Sequence, residues 1–256
     1  MLVVPIFIVL LHYGYSIVDS HINKYIKVPN MHFIHMYAHS CLWHTLSFCW
    51  SLTLVLKYTD PNKWWQQIPQ ISSTSEWLFL NASLAYCIYD FIHTDHRRKG
   101  ALIFYAHHVL TLLLIVLAYA FGFVQVSIVI LNVFDVSDIF RPAARICNTF
   151  AKAGHLKYKT YANVLFILFA TSWMLTRIIL FGYIIYQAWM SKTMALCAEQ
   201  GCPFGFNSIR DFWDVIQMPF IFIMSGLYVV LWIWTLKIYL VLVHPLIYVA
   251  ITKIKD

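Results

Sequence analysis

The sequence predicts an all-α polytopic membrane protein with about seven transmembrane helices. Three observations carry this. Of 256 residues, 61% are hydrophobic and only 11% charged, whereas soluble domains average about 25% charged. Apolar segments long enough to cross a bilayer, roughly 17–25 residues each, recur along nearly the whole chain. The Lys and Arg residues also cluster in alternate connections, as the positive-inside rule requires.

The first predicted span covers about 2–18, and its apolar run stops at His12-Tyr13-Gly14. No Lys or Arg precedes it, so it reads as a retained helix and not a cleaved signal peptide. The second covers about 32–56 and the third 76–93. The fourth, 101–121, and the fifth, 123–140, join tightly at Gly122 as an antiparallel pair. The sixth covers 161–189 and the seventh 214–243. Residues 1–30 form an N-terminal helix and connector, 31–245 one membrane domain, and 246–256 a short basic tail.

Seven spans place the termini on opposite sides. One side holds twelve Lys and Arg residues: Lys24, Lys27, Arg97, Arg98, Lys99, Arg141, Arg145, Lys152, Lys157, Lys159, Lys253 and Lys255. The other holds Lys57, Lys63, Lys192 and Arg210. The richer side is assigned to the cytosol, so the N-terminus is lumenal and the C-terminus cytosolic. Cys197 and Cys202 then lie in a lumenal loop, where a disulfide persists, and they are expected to pair. The remaining cysteines, Cys41, Cys49, Cys87 and Cys147, lie in or beside apolar segments as small hydrophobes. No Cys/His spacing suggests zinc, and no nucleic-acid partner is expected.

Polar groups converge at one depth. His107 is eight residues past Lys99, or about 12 Å along a helix, and Asp135 is six before Arg141, or about 9 Å. Asn132, Asp135 and Asp138 share one helix face by i, i+3 spacing, as His107 and Thr111 do by i, i+4. Tyr86, Tyr89, Asp90 and His93 approach the same level, as do His32, His35, Tyr37 and His39. Intramembrane ionisable groups usually face the bundle interior and mark a functional path. The structural alternative is that the aspartates cap neighbouring Tyr, His or Arg groups.

At these residues the chain resembles the TLC-domain family, and within it the ceramide synthases, or longevity-assurance proteins. The resemblance rests on HHVLTLLLIVLAY followed by FDVSDIFRPAAR, led in by YTDPNKWWQQIP, SLAYCIYDFI and DHRRKG. It continues through NVLFILFATSWMLTRIILF, with Trp173 and Arg177, and covers roughly residues 30–245. The chain departs from the family pattern at three places: Phe134 replaces a His, Pro142 a Glu, and Ala118 a Ser. It also has no homeobox-like insert.

The resemblance implies a six-helix TLC-type bundle or barrel, with one extra N-terminal helix, in the endoplasmic reticulum membrane. It implies transfer of a fatty acyl group from acyl-CoA to the amine of a long-chain sphingoid base through an acyl-histidine. His107, His108, Asp135 and Asp138 are the expected catalytic residues. A carboxylate on one ring nitrogen would fix the tautomer of a histidine and stabilise developing imidazolium charge. Tyr86, Asp90, Thr111, Asn132, Trp173 and Arg177 are expected to contact substrate, with membrane lipids around them. Arg97, Arg98 and Lys99 would attract the anionic CoA head. No cofactor is expected beyond acyl-CoA as co-substrate, and a homo- or heterodimer is admissible. A di-iron hydroxylase is the weaker enzymatic reading, because Phe104 interrupts the third histidine box. A TLC-fold lipid sensor or carrier without chemistry is the non-enzymatic alternative.

Overall fold

The computed structural model describes residues 3–25, 31–58, 73–93, 101–121, 123–190 and 217–255. Among these, helices and short turns account for the whole chain. The helices are α1 (Val3–Tyr25), α2 (Met31–Val55), α3 (Thr74–His93), α4 (Ala101–Phe121) and α5 (Val124–Lys152). A continuous rod follows, made of α6 (Lys157–Trp173), a π-helical segment (Met174–Leu180) and α7 (Phe181–Met190). The last helix is α8 (Met218–Lys255). Each predicted span corresponds to one of these seven rods.

Six rods close into a ring. α2 packs most extensively on α5, α5 on α6, the π segment and α7 on α8, α8 on α4, α4 on α3, and α3 back on α2. α1 lies outside the ring against α2 and α3. The outer face is apolar: Leu46, Leu102, Ile167, Phe222 and Leu236 are all exposed. On a membrane protein that face meets lipid tails. Inside, Phe134, Trp173, Phe181, Phe220, Leu227 and Leu231 form the main core cluster. Ala118 and Ala188 are fully buried, small residues of the kind that let transmembrane helices approach closely.

Among the described residues, three helices are long and apolar enough to cross a membrane by length and composition: Leu102–Phe121, Lys157–Met190 and Met218–Leu242. The other rods carry polar residues inside the bundle. The structure also corrects three predicted ends. α1 runs on to Tyr25 and α8 to Lys255. α5 passes straight through Pro142 to Lys152, although a proline usually ends or kinks a helix. Its flanks explain this: α5 is gripped by α2 on one side and α6 on the other, and tertiary packing outweighs one lost backbone bond. The turn to α6 comes only at Gly154, whose φ of 99° lies in the left-handed region that favours glycine.

Candidate functional site

The ring surrounds an open cavity of about 90 Å³, lined by residues from all six of its rods and none from α1. Its walls bring together His107, His108, Thr111, Asp135, Asp138, Tyr86, Asp90, Trp173 and Arg177. Sequence spacing alone could place these residues at one depth but could not bring their side chains together.

One wall is the α2–α5 contact, which is a polar ladder. His44, Ser47 and Ser51 fall at i, i+3 and i+7 on α2. Asn132 and Asp135 answer them from α5. The Asp135 carboxylate accepts from His44 Nδ1 at 2.7 Å and from the Ser47 hydroxyl at 2.6 Å. The Asn132 amide donates to Ser51 Oγ at 2.8 Å and to the Phe48 carbonyl at 3.3 Å. Asn132 therefore does not line the cavity as its predicted substrate role required. Its amide nitrogen is spent holding α5 to α2.

A second part of the wall is an ion pair. Arg177 bonds directly to the Asp138 carboxylate. Its Nε donates to Ser137 Oγ at 2.8 Å, and Nη2 also donates to the Phe134 carbonyl at 3.2 Å. The guanidinium lies over the rings of Phe134, at 4.3 Å, and Trp173, at 4.6 Å. Arg177 is 1% exposed, so both its charge and its stem are enclosed. It sits within the π segment, and π-helical turns recur at functional sites. Arg141 Nε is 3.9 Å from the other Asp138 oxygen.

The adjacent histidines differ sharply. His108 Nε2 lies 3.3 Å from Asp90 Oδ2, and its Nδ1 faces the Cys87 thiol at 3.6 Å. Both nitrogens are thus engaged. His107 has no carboxylate partner, and its Nδ1 is buried without any hydrogen bond. Its ring lies 6.5 Å from that of Phe134 and 5.5 Å from that of His108. Two further cavity groups, Ser83 Oγ and Trp234 Nε1, are also buried without partners. Buried polar groups are normally bonded, so three orphans around one cavity suit a ligand that carries hydroxyl or carbonyl oxygens.

The remaining expectations fall out unevenly. Tyr86 lines the cavity, stacked on Trp43 at 4.6 Å, with its hydroxyl 3.3 Å from Ser40 Oγ. Thr111 lines it too, although its hydroxyl bonds back to the His107 carbonyl at 2.9 Å. Trp173 donates to Thr235 Oγ1 at 3.0 Å. Tyr89 and His93 stack on each other at 4.0 Å beside His39 and His12, away from the cavity. Arg97, Arg98 and Lys99, and the pair Cys197 and Cys202, lie outside the described residues. Among the described residues, no three His, Cys, Asp or Glu side chains are placed to hold a metal ion.

Sequence reasoning missed His44 and Ser47. A signal was present, since His44, Ser47 and Ser51 form a polar stripe along one face of an apolar helix. The expected carboxylate–imidazole contact is made by Asp135 to His44, while in the 107–108 pair it is Asp90 that meets His108.

The chain matches the model of the TLC domain (TRAM_LAG1_CLN8) over residues 34–240. It is 35% identical over 108 residues to ASC1-like protein 3 of Oryza sativa subsp. japonica, covering 42% of this chain and 34% of that protein. It is 35% identical over 100 residues to Ceramide synthase 5 of Homo sapiens, covering 39% and 23%. It is 32% identical over 94 residues to Sphingosine N-acyltransferase lag1 of Schizosaccharomyces pombe, covering 37% and 23%. The match thus spans about a third or less of the length of each of these curated relatives.

Proposed function

Because the chain belongs to the TLC-domain family, we propose that it is an acyl-CoA-dependent N-acyltransferase acting on the amine of a long-chain sphingoid base. Relatives named ceramide synthase and sphingosine N-acyltransferase support this reading. The observation that carries it is His107: a cavity imidazole with an unpartnered nitrogen, adjacent to the His108–Asp90 pair.

Neutral imidazole is a competent nucleophile near pH 7. His107 attacks the thioester carbonyl carbon, the C–S bond breaks, and CoA leaves as its thiol. The acyl-imidazole divides the transfer into two easier steps. The amine then attacks the same carbon, an amide forms, and His107 is regenerated. Both lipid chains enter from the bilayer, and the cavity of about 90 Å³, smaller than the roughly 300–1,000 Å³ of whole-ligand pockets, seats the reacting groups and not the full chains. The orphaned Ser83 and Trp234 groups are suited to substrate oxygens. Arg141 on the cavity wall, with Arg97, Arg98 and Lys99 at the predicted cytosolic face, would draw in the anionic CoA head. We place the protein in the endoplasmic reticulum membrane, with its N-terminus lumenal.

The test is amide formation. Purified protein is given a fatty acyl-CoA and a sphingoid base, and the N-acyl product is followed by mass spectrometry. Wild type is expected to release CoA and form amide, and His107→Ala to do neither while remaining inserted. Lipid binding by wild type without CoA release or amide would support the sensor reading instead.

A further inference from the structure

The geometry points to His44 as the base that takes the proton from the incoming amine, with Asp135 fixing its tautomer. This rests on the N-acyl-transfer reading and adds to it a residue from α2, outside the His-His and Asp-x-x-Asp stretches.

The ionisable groups around the cavity sort by what is already bound to them. Asp138 is closed by Arg177, and Asp90 is engaged by His108. His108 has both ring nitrogens facing partners. His107 is the acyl carrier in the proposed mechanism, so it cannot act as the base while the acyl group is on its ring. His44 is left. Its Nδ1 donates to Asp135 at 2.7 Å, and Ser47 completes that carboxylate at 2.6 Å. With the proton held on Nδ1, the lone pair is on Nε2, which has no hydrogen-bond partner among the described residues. The ring lines the cavity, set edge-on to Tyr86 at 5.3 Å, and its side chain is 12% exposed. A carboxylate fixing one imidazole nitrogen while the other faces the reaction is the arrangement that makes histidine a general base.

The step balances. The amine nitrogen forms a C–N bond to the acyl carbonyl carbon as the bond from that carbon to the His107 imidazole breaks. The amine proton passes to His44 Nε2, and the electron pair of the broken bond stays on the His107 ring. Asp135 stabilises the imidazolium that forms on His44. The proton then passes from His44 Nε2 to the His107 ring, which restores both neutral imidazoles, and no oxidant or further reactant is needed.

The experiment separates the two half-reactions. Wild type, His44→Gln and His44→Asn are first given acyl-CoA without amine, and the burst of CoA release is measured. Sphingoid base or hydroxylamine, which is already neutral at pH 7, is then added. Both variants are expected to give the wild-type burst, which also shows that they are folded. They are then expected to acylate the sphingoid base about 10²–10⁴-fold more slowly, the range of a positioned base, while hydroxylamine discharges them at the wild-type rate. Wild-type amide formation by the variants would overturn the proposal. Loss of the burst in both variants would also overturn it, assigning His44 to acyl loading or to the fold. If wild type itself neither loads nor forms amide, the acyl-transfer reading fails, and His44 with it.

Discussion

Two walls of one cavity use the same side chain in opposite ways. Asp135 and Asp138 lie one turn apart on α5. Asp135 faces α2, where His44 and Ser47 hold it. Asp138 faces the π segment, where Arg177 closes it into an ion pair roofed by Phe134 and Trp173. A carboxylate held by an imidazole tunes that imidazole. A carboxylate held by an enclosed guanidinium has its charge already answered. The Asp-x-x-Asp stretch thus divides into one carboxylate suited to chemistry and one suited to holding the bundle together.

The strongest way to break this contrast is to neutralise each aspartate in turn. Asp135→Asn keeps the shape but removes the tautomer-fixing charge, so amide formation should fall about 10²–10⁴-fold with little change in thermal unfolding. Asp138→Asn leaves Arg177 buried without its counter-charge. Breaking a buried pair from one side costs about 3–5 kcal/mol, so unfolding in detergent should shift markedly downward while activity per folded molecule holds to within about tenfold. Reversed effects would exchange the two roles.

A double substitution sharpens the second half. Asp138→Leu with Arg177→Met removes both charges, and apolar replacement of a buried pair is often neutral or stabilising. The double variant should therefore recover most of the stability lost by either single change, read as a double-mutant cycle. Smaller effects are expected along the α2 ladder. Ser47→Ala removes one charge-assisted bond to Asp135, worth about 1.5–3 kcal/mol, and should slow transfer about tenfold or more. Asn132→Ala should cost only about 1 kcal/mol of stability and leave turnover unchanged, because its amide serves Ser51 and Phe48.

Hydropathy made the seven rods legible, since each must bury its backbone and present an apolar face to lipid. That His107, His108, Asp135 and Asp138 would meet at one level was legible in helix spacing, and all four line the cavity. Their partners were not. His44 and Asp135 are 91 positions apart, and the polar stripe of His44, Ser47 and Ser51 marks a face of α2 without naming what that face meets. The separate fates of Asp135 and Asp138 were equally hidden, because i, i+3 spacing gives a shared face but not what that face meets. α5 also outruns the predicted span end at 140: Pro142 lacks an N–H, yet the grip of α2 and α6 carries the helix on to Lys152. The π segment left no trace in composition, yet it is the turn that carries Arg177.

Peptide mapping of the acylated protein bears most directly on the cavity as a site of covalent acyl transfer. Purified protein is exposed to a fatty acyl-CoA without amine, its intact mass is recorded, and the adduct is located by digestion. The expected result is a single acyl increment on His107 that disappears when sphingoid base is added and reappears as amide. An increment on the neighbouring Cys87 or on His108, or amide formation with no protein-bound acyl group at any time, would contradict it.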